Sequence, residues 1–291
     1  GEVVGEVILK GKKHHWGPPN RHYHQGMQAG ENTLNALCAR LVMRSMTSQH
    51  GHDTADFLSG YVDFMTTPDS HNDTYAESYH RDFFANWAKG IPPNRCAGAE
   101  GHDTASIGGL VGLAPVILGT AAQHGVEKAV AAALTQMRLT HLSQPLEVFA
   151  TAYAQLLAGL VFSPPTDMVA WLQSHASPLG KGLTALLAKA PGSSVSVSQV
   201  IGAMYSPACY IEDSFPSVLY LAARYNQDFE AALIANTNAG GDNCHRGAVL
   251  GALMGAWLGY DAIPLRWRQG LVAGPAAEQE INQFIDTFVP A

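Results

Sequence analysis

An all-α fold, a compact orthogonal bundle of many helices, is the class that this 291-residue chain predicts, and three observations carry it. In ENTLNALCARLVMRSM (31–46), Leu34, Leu37, Cys38, Leu41, Val42 and Met46 fall close to the i, i+3, i+4 rhythm of one helix face. From Ala121 to Ala190 the chain is a series of Ala-, Leu- and Val-rich stretches broken by Ser143-Gln144-Pro145, Ser163-Pro164-Pro165 and Ser177-Pro178; such short connections belong to antiparallel helical neighbours. Near the end, Gly247, Gly251, Gly255 and Gly259 recur every fourth residue with Ala248, Ala252 and Ala256 beside them, one small-residue face of a helix.

Composition bounds the rest. With 47% hydrophobic and 14% charged residues the chain can fill a large interior, and no stretch reads as a linker between domains, so one domain is expected over 26–291 behind an N-terminal arm, 1–25. A net charge of -7 without a basic stripe argues against nucleic acid as a partner. The glycine helix is shorter than the about 20 apolar residues a membrane span needs and is headed by His245 and Arg246, so no membrane segment is expected. Cys38, Cys96, Cys209 and Cys244 are far apart and lack CxxC spacing; free thiols are expected rather than a zinc site or a disulfide framework. The abundance of Gly and Ala suits a homo-oligomer as well as a large core. The chain begins at Gly1, so a processed or secreted form stands beside a cytoplasmic one as the expected compartment.

The elements follow in order. GEVVGEVILK alternates Val and Ile with small or charged residues before Pro18-Pro19, a strand or an extended arm. Its His14, His15, His22 and His24 have no repeated ligand spacing and read as solvated. Gly30 precedes the helix that opens at Glu31-Asn32-Thr33, where Glu31 reads on its own as a first-turn charge. GHDTA occurs at 51–55 and again at 101–105, with HNDT at 71–74 between them; the first copy reads as an ordinary helix start and the second ends a glycine-rich loop, RCAGAEGHDTAS, whose amides at a helix N-terminus suit a diphosphate. His141 reads as a core or capping histidine. Glu212 and Asp213 open a helix with Pro216 in its first turn. The densest polar cluster is NTNAGGDNCHR (236–246), in which Gly240-Gly241 let the backbone approach a ligand and Asp242 or Asn243 caps the glycine helix. That helix is expected to be central, because each interior glycine costs roughly 1 kcal/mol that only close backbone packing recovers.

The run EDSFPSVLYLAARYNQDFEAALIANTNAGGDNCHRGAVLGALMGAWLG (212–259) resembles the C-terminal core of the ADP-ribosylglycohydrolase family. DAIPLRWRQGL (261–271) is similar to the family's closing segment, and LTHLSQPLEVFATAYAQLLAGLVF (139–162) to its Thr-His helix. The resemblance implies the all-α bundle of that family and the hydrolysis of an ADP-ribosyl or related nucleotide-sugar glycosidic bond, with ADP-ribose or an ADP-ribosylated molecule as partner. The family's TDDT tetrad falls on Gly30, Glu31, Asn32 and Thr33, of which only Thr33 is unchanged; its GDTDT turn falls on Gly241 to His245, where Asp242 stays and Cys244 and His245 replace an aspartate and a threonine. Two magnesium ions would want more carboxylates than Glu31 and Asp242 supply. What the resemblance then implies is a metal-free site, or one divalent ion held by Glu31, Asn32, Thr33, Asp242 and His245, Mg or, given the imidazole, Mn or Zn. Glu31 and Asp242 become the catalytic candidates, and Asn72, Asp73, Gly98, Gly101, His102, Asp103, Ser106 and Asn243 the substrate contacts. Two other functions fit the same motifs, an ADP-ribose-binding protein without catalysis and a structural, crystallin-like member.

Overall fold

A computed structural model describes residues 3–16, 23–101 and 104–289. Its elements follow from local signals at their ends. Helix α1 (Leu34–Gln49) begins where Thr33 accepts the Ala36 amide and stops at His50, whose backbone turns left-handed at φ 53. Thr33 is thus the cap, and Glu31 and Asn32 stand outside the helix rather than in its first turn. Helix α2 (Thr54–Thr66) is capped by Asp53, which accepts the amides of Ala55 and Asp56. Helix α3 (Ser78–Trp87) follows directly on the HNDTYAE stretch. Helices α4 (Leu113–His124), α5 (Val126–Arg138) and α6 (Gln144–Phe162) form the middle of the chain. Two short helices, Met168–Ser174 and Leu183–Lys189, lead to α7 (Ile211–Arg224), α8 (Phe229–Asn238), α9 (Asn243–Leu258) and the closing α10 (Gly274–Phe288). Among the described residues there are isolated β-bridges but no strand.

Two buried clusters hold these helices. The larger gathers α4 to α9 around Leu156, Phe215, Leu219, Val249 and Leu253. The smaller joins α1 to α3 with Val116 and Phe288, around Met46, Tyr61, Phe83 and Phe84. Helix α6 is apolar and long enough to cross a bilayer, but 61% of its most hydrophobic window is buried within the protein, the pattern of a core helix.

Three local expectations are corrected. The described part of the arm makes turns instead of a strand: Val3–Glu6 is one irregular turn, Ile8 and Leu9 are buried in the smaller cluster, and the Trp16 indole N–H donates to Thr74 O at 2.6 Å. Pro216 lies in the second turn of α7 because that helix already starts at Ile211. The glycine face of α9 is not a close backbone contact: a Cβ on Gly251 would meet nothing within 4 Å, while the buried face is Arg246, Val249, Leu250, Leu253 and Met254.

Candidate active site

The polar turn ahead of α9 is built by its glycines and one buried arginine. Gly241 holds φ 62, and a Cβ there would drive into the Pro207 carbonyl, so only glycine fits. That carbonyl accepts the Asp242 amide at 2.9 Å and Arg246 Nη1 at 2.6 Å. Arg246, fully buried, also donates to Asn236 Oδ1 at 3.1 Å and to Gly240 O at 2.6 Å. A charge buried this completely needs all of these acceptors. The turn is therefore preset before any ligand arrives.

It faces a cleft of about 1090 Å³ whose walls come from four places: Tyr23 to Met27 of the arm, Tyr75 to Arg81 at the start of α3, Ser106 with Ala208 and Cys209, and Gly241 to His245. On one wall His245 lies between two carboxylates. Its Nδ1 meets Asp242, at 2.7 Å to Oδ1 and 2.8 Å to Oδ2, and its Nε2 meets Glu77 Oε1. Asn35 Nδ2 donates to Glu77 Oε1 at 2.9 Å and lies against the same ring. Burial works against a charge here, but the two carboxylates, Glu77 first, hold the His245 pKa well above its ordinary value. The ring is an imidazolium that spends both of its protons on acids. Behind it Asn35 Oδ1 accepts from the Tyr79 hydroxyl at 2.7 Å and contacts His80 Nε2 at 3.0 Å, so a buried polar network fixes the floor.

A second histidine–carboxylate pair joins the arm to the HNDT segment. Asp73, with no exposed surface, accepts the Leu34 amide at 2.7 Å and the Tyr75 amide at 3.1 Å, and meets His24 Nδ1 at 2.8 Å. Burial raises its carboxyl, yet these bonds, His24 first, leave it below the ordinary range. Its partner His24 is raised to about 10, by the hydrogen bond to Asp73 first and by the Cys244 thiol next.

The predicted site residues divide. Asp242, His245, Asn243 and Ser106 line the cleft. Asp73 supports it from behind. Glu31 is not among the lining residues; it accepts Asn72 Nδ2 and the Gln28 amide, both at 2.7 Å, and so ties the turn before α1 to the HNDT segment. Asn32 accepts Arg40 Nη1 at 3.0 Å. Gly98 packs on Asp82, whose Cβ would be 2.8 Å from a side chain added there, and the Gly101 amide is closed on Thr104 Oγ1 at 3.0 Å. Neither lines the cleft. His102 and Asp103 lie outside the described residues, as does His22.

A divalent ion does not fit this donor set. Thr33 Oγ1 is engaged by the Ala36 amide, Asn32 Oδ1 by a guanidinium, and His245 as an imidazolium has no lone pair to give. Among the described residues no three His, Cys, Asp or Glu side chains are arranged to hold a metal. Glu77, Asn35 and Arg81 were not singled out by sequence reasoning, and His24, read there as solvated, is instead paired with Asp73. For Glu77 and Arg81 the one signal was the run of polar residues, HNDTYAESYHR, ahead of an otherwise aromatic helix.

A model of the ADP-ribosylglycohydrolase family matches residues 5–290. No curated protein sequence matches the chain. Among solved structures, one described as an "ADP-ribosylglycohydrolase-related protein complex" has the same fold, with a TM-score of 0.68 at 23% identity over 99% of this chain and 94% of that one.

Proposed function

Because the chain belongs to the ADP-ribosylglycohydrolase family, we propose that it hydrolyses an ADP-ribosyl glycosidic bond in this cleft without a divalent ion, the His245 imidazolium serving as the fixed cation. The observation that supports this is the placement of His245 between Glu77 and Asp242, at the turn where the resemblance puts metal ligands. A cation held there gives the ribose hydroxyls a pre-oriented charge to bind against.

The remaining groups follow from their positions. Arg81 and the Ser106 hydroxyl are on the wall suited to the diphosphate, together with the positive end of α9. Glu77 takes a proton from the attacking water as its oxygen bonds to the anomeric carbon, and the proton passes to the departing acceptor group. Asp242 holds the imidazolium in place. Glu31 and Asn72 brace the turn before α1.

The test is release of ADP-ribose from an ADP-ribosylated protein by the purified chain. Turnover in EDTA that falls about 100-fold or more in Glu77→Gln is the expected result. Wild-type turnover that the Glu77→Gln variant retains would overturn the assignment of Glu77, and binding of ADP-ribose without any turnover would favour the binding-protein reading.

A further inference from the structure

His141 stands outside the cleft, and the residue is only 2% exposed. Its ring lies against Tyr79, with centroids 4.2 Å apart. The Thr140 hydroxyl meets Nδ1 at 2.8 Å, whereas Nε2 is buried and, among the described residues, has no partner. Buried polar atoms in folded proteins are nearly always hydrogen-bonded, to protein or to ordered water.

The same ring borders a cavity of about 50 Å³ enclosed by α1, α2, α3 and the end of α5. Among the described residues none lines both this cavity and the cleft. Between them stand Asn35, whose Nδ2 donates to Glu77 Oε1 at 2.9 Å, and Gly108, where an added Cβ would come within 2.8 Å of Glu77 Oε2.

The lining selects the ligand. Among the described residues no Asp, Glu, Lys or Arg borders the cavity, so nothing there offsets the charge of an ion. Its two histidines are neutral: burial lowers His141 to about 3 and His80 well below its ordinary value. Both nitrogens of His80 are already met, by the Tyr61 hydroxyl at 2.5 Å and by Asn35 Oδ1 at 3.0 Å. An aromatic ring occupies a cavity of about 150 Å³, whereas a water needs about 10–15 Å³, so the space here suits about three waters and no ring. Water also serves either form of His141, donating to a bare Nε2 or accepting from Nε2–H. A second anchor is at hand in the Tyr79 hydroxyl, which gives its proton to Asn35 Oδ1 at 2.7 Å and keeps its lone pairs.

We propose that this cavity is an internal hydration site, anchored by a water molecule hydrogen-bonded to His141 Nε2. The site stands apart from the glycosidic reading and does not rest on it. Val42, Phe57, Leu113 and Met137 make up much of the remaining wall, and this sharpens the alternative, since a cavity governed by such groups stays dry and takes up xenon.

The experiment is a crystal structure of the whole chain at a resolution that orders internal solvent, repeated under xenon pressure and on His141→Leu. The expected result is density for a water about 2.8 Å from Nε2 in the wild type, undisplaced by xenon, and loss of that water in His141→Leu. Oxygen-17 relaxation dispersion of the two proteins in solution reads the same loss as a smaller number of long-lived internal waters. A dry cavity in the wild type, xenon bound in it, a water that keeps its place in His141→Leu, or equal numbers of long-lived waters in the two proteins would overturn the site. Should His141→Leu not fold, wild-type crystals with and without xenon decide the matter. ADP-ribose release, scored separately on Glu77→Gln, reports on the glycosidic reading alone.

Discussion

His24 and His245 each carry a proton that neighbouring side chains, carboxylates above all, make favourable, and this gives the protein a pH dependence that single residues set. His24 is raised to about 10 and His245 well above its ordinary value. Groups raised on folding stabilise fully below the ordinary imidazole pKa of about 6.5 and lose that contribution as pH rises through the folded value. His71 and His141 behave oppositely. Burial lowers them to about 4 and about 3, so the unfolded chain binds the extra protons and stability falls as pH drops below about 6.5. Asp73, held below its ordinary range, adds a loss only at still lower pH, as it is protonated. The urea unfolding midpoint should therefore peak between these limbs and decline toward both pH 4 and pH 10; a midpoint constant from neutral pH to about 10 would contradict the imidazolium assignments. At this scale the sequence showed Asp242 and His245 as neighbours in one turn. It could not show Glu77, which reaches the same ring from another helix start.

Elements were more readable, because their ends are chemical and local. Thr33, Asp53, Ser143, Asp167 and Asp228 each accept a first-turn amide of the helix that follows, and a cap followed by an apolar run is visible in sequence. The face that a helix buries was less readable. In α9 the every-fourth glycines suggested backbone contact, whereas the buried ridge is Val249, Leu250, Leu253 and Met254 with Arg246 at its head. Two substitutions separate the roles of these glycines. Gly251→Ala, with open space around the added Cβ, should stabilise by about 1 kcal/mol. Gly241→Ala, forced into the Pro207 carbonyl that also receives the Asp242 amide and Arg246, should destabilise by about 3 kcal/mol. Equal effects of the two in chemical denaturation would remove the argument that the Gly241 turn is preset.

At the scale of the molecule, the all-α class followed from periodicity and short connections, and the family match over 5–290 agrees with the motifs on which the resemblance stood. The cleft was less legible, because it is assembled from the arm, the HNDT segment, the 208–209 loop and the turn of α9, segments whose meeting depends on two packed clusters rather than on local pattern. Low charge content, 14% of residues, leaves few ion pairs to spare, and three of them join a histidine to a carboxylate here: His24–Asp73, His245–Glu77 and His245–Asp242. They put two protonated rings at one cleft, which is the basis for the proposal that this site works without a metal. Calorimetric titration of ADP-ribose into the purified chain tests this most directly, first in EDTA and then with Mg²⁺, Mn²⁺ or Zn²⁺ added in turn. The account predicts binding in EDTA with an affinity that added metal leaves unchanged; binding that appears or tightens only when one of these ions is present would contradict it.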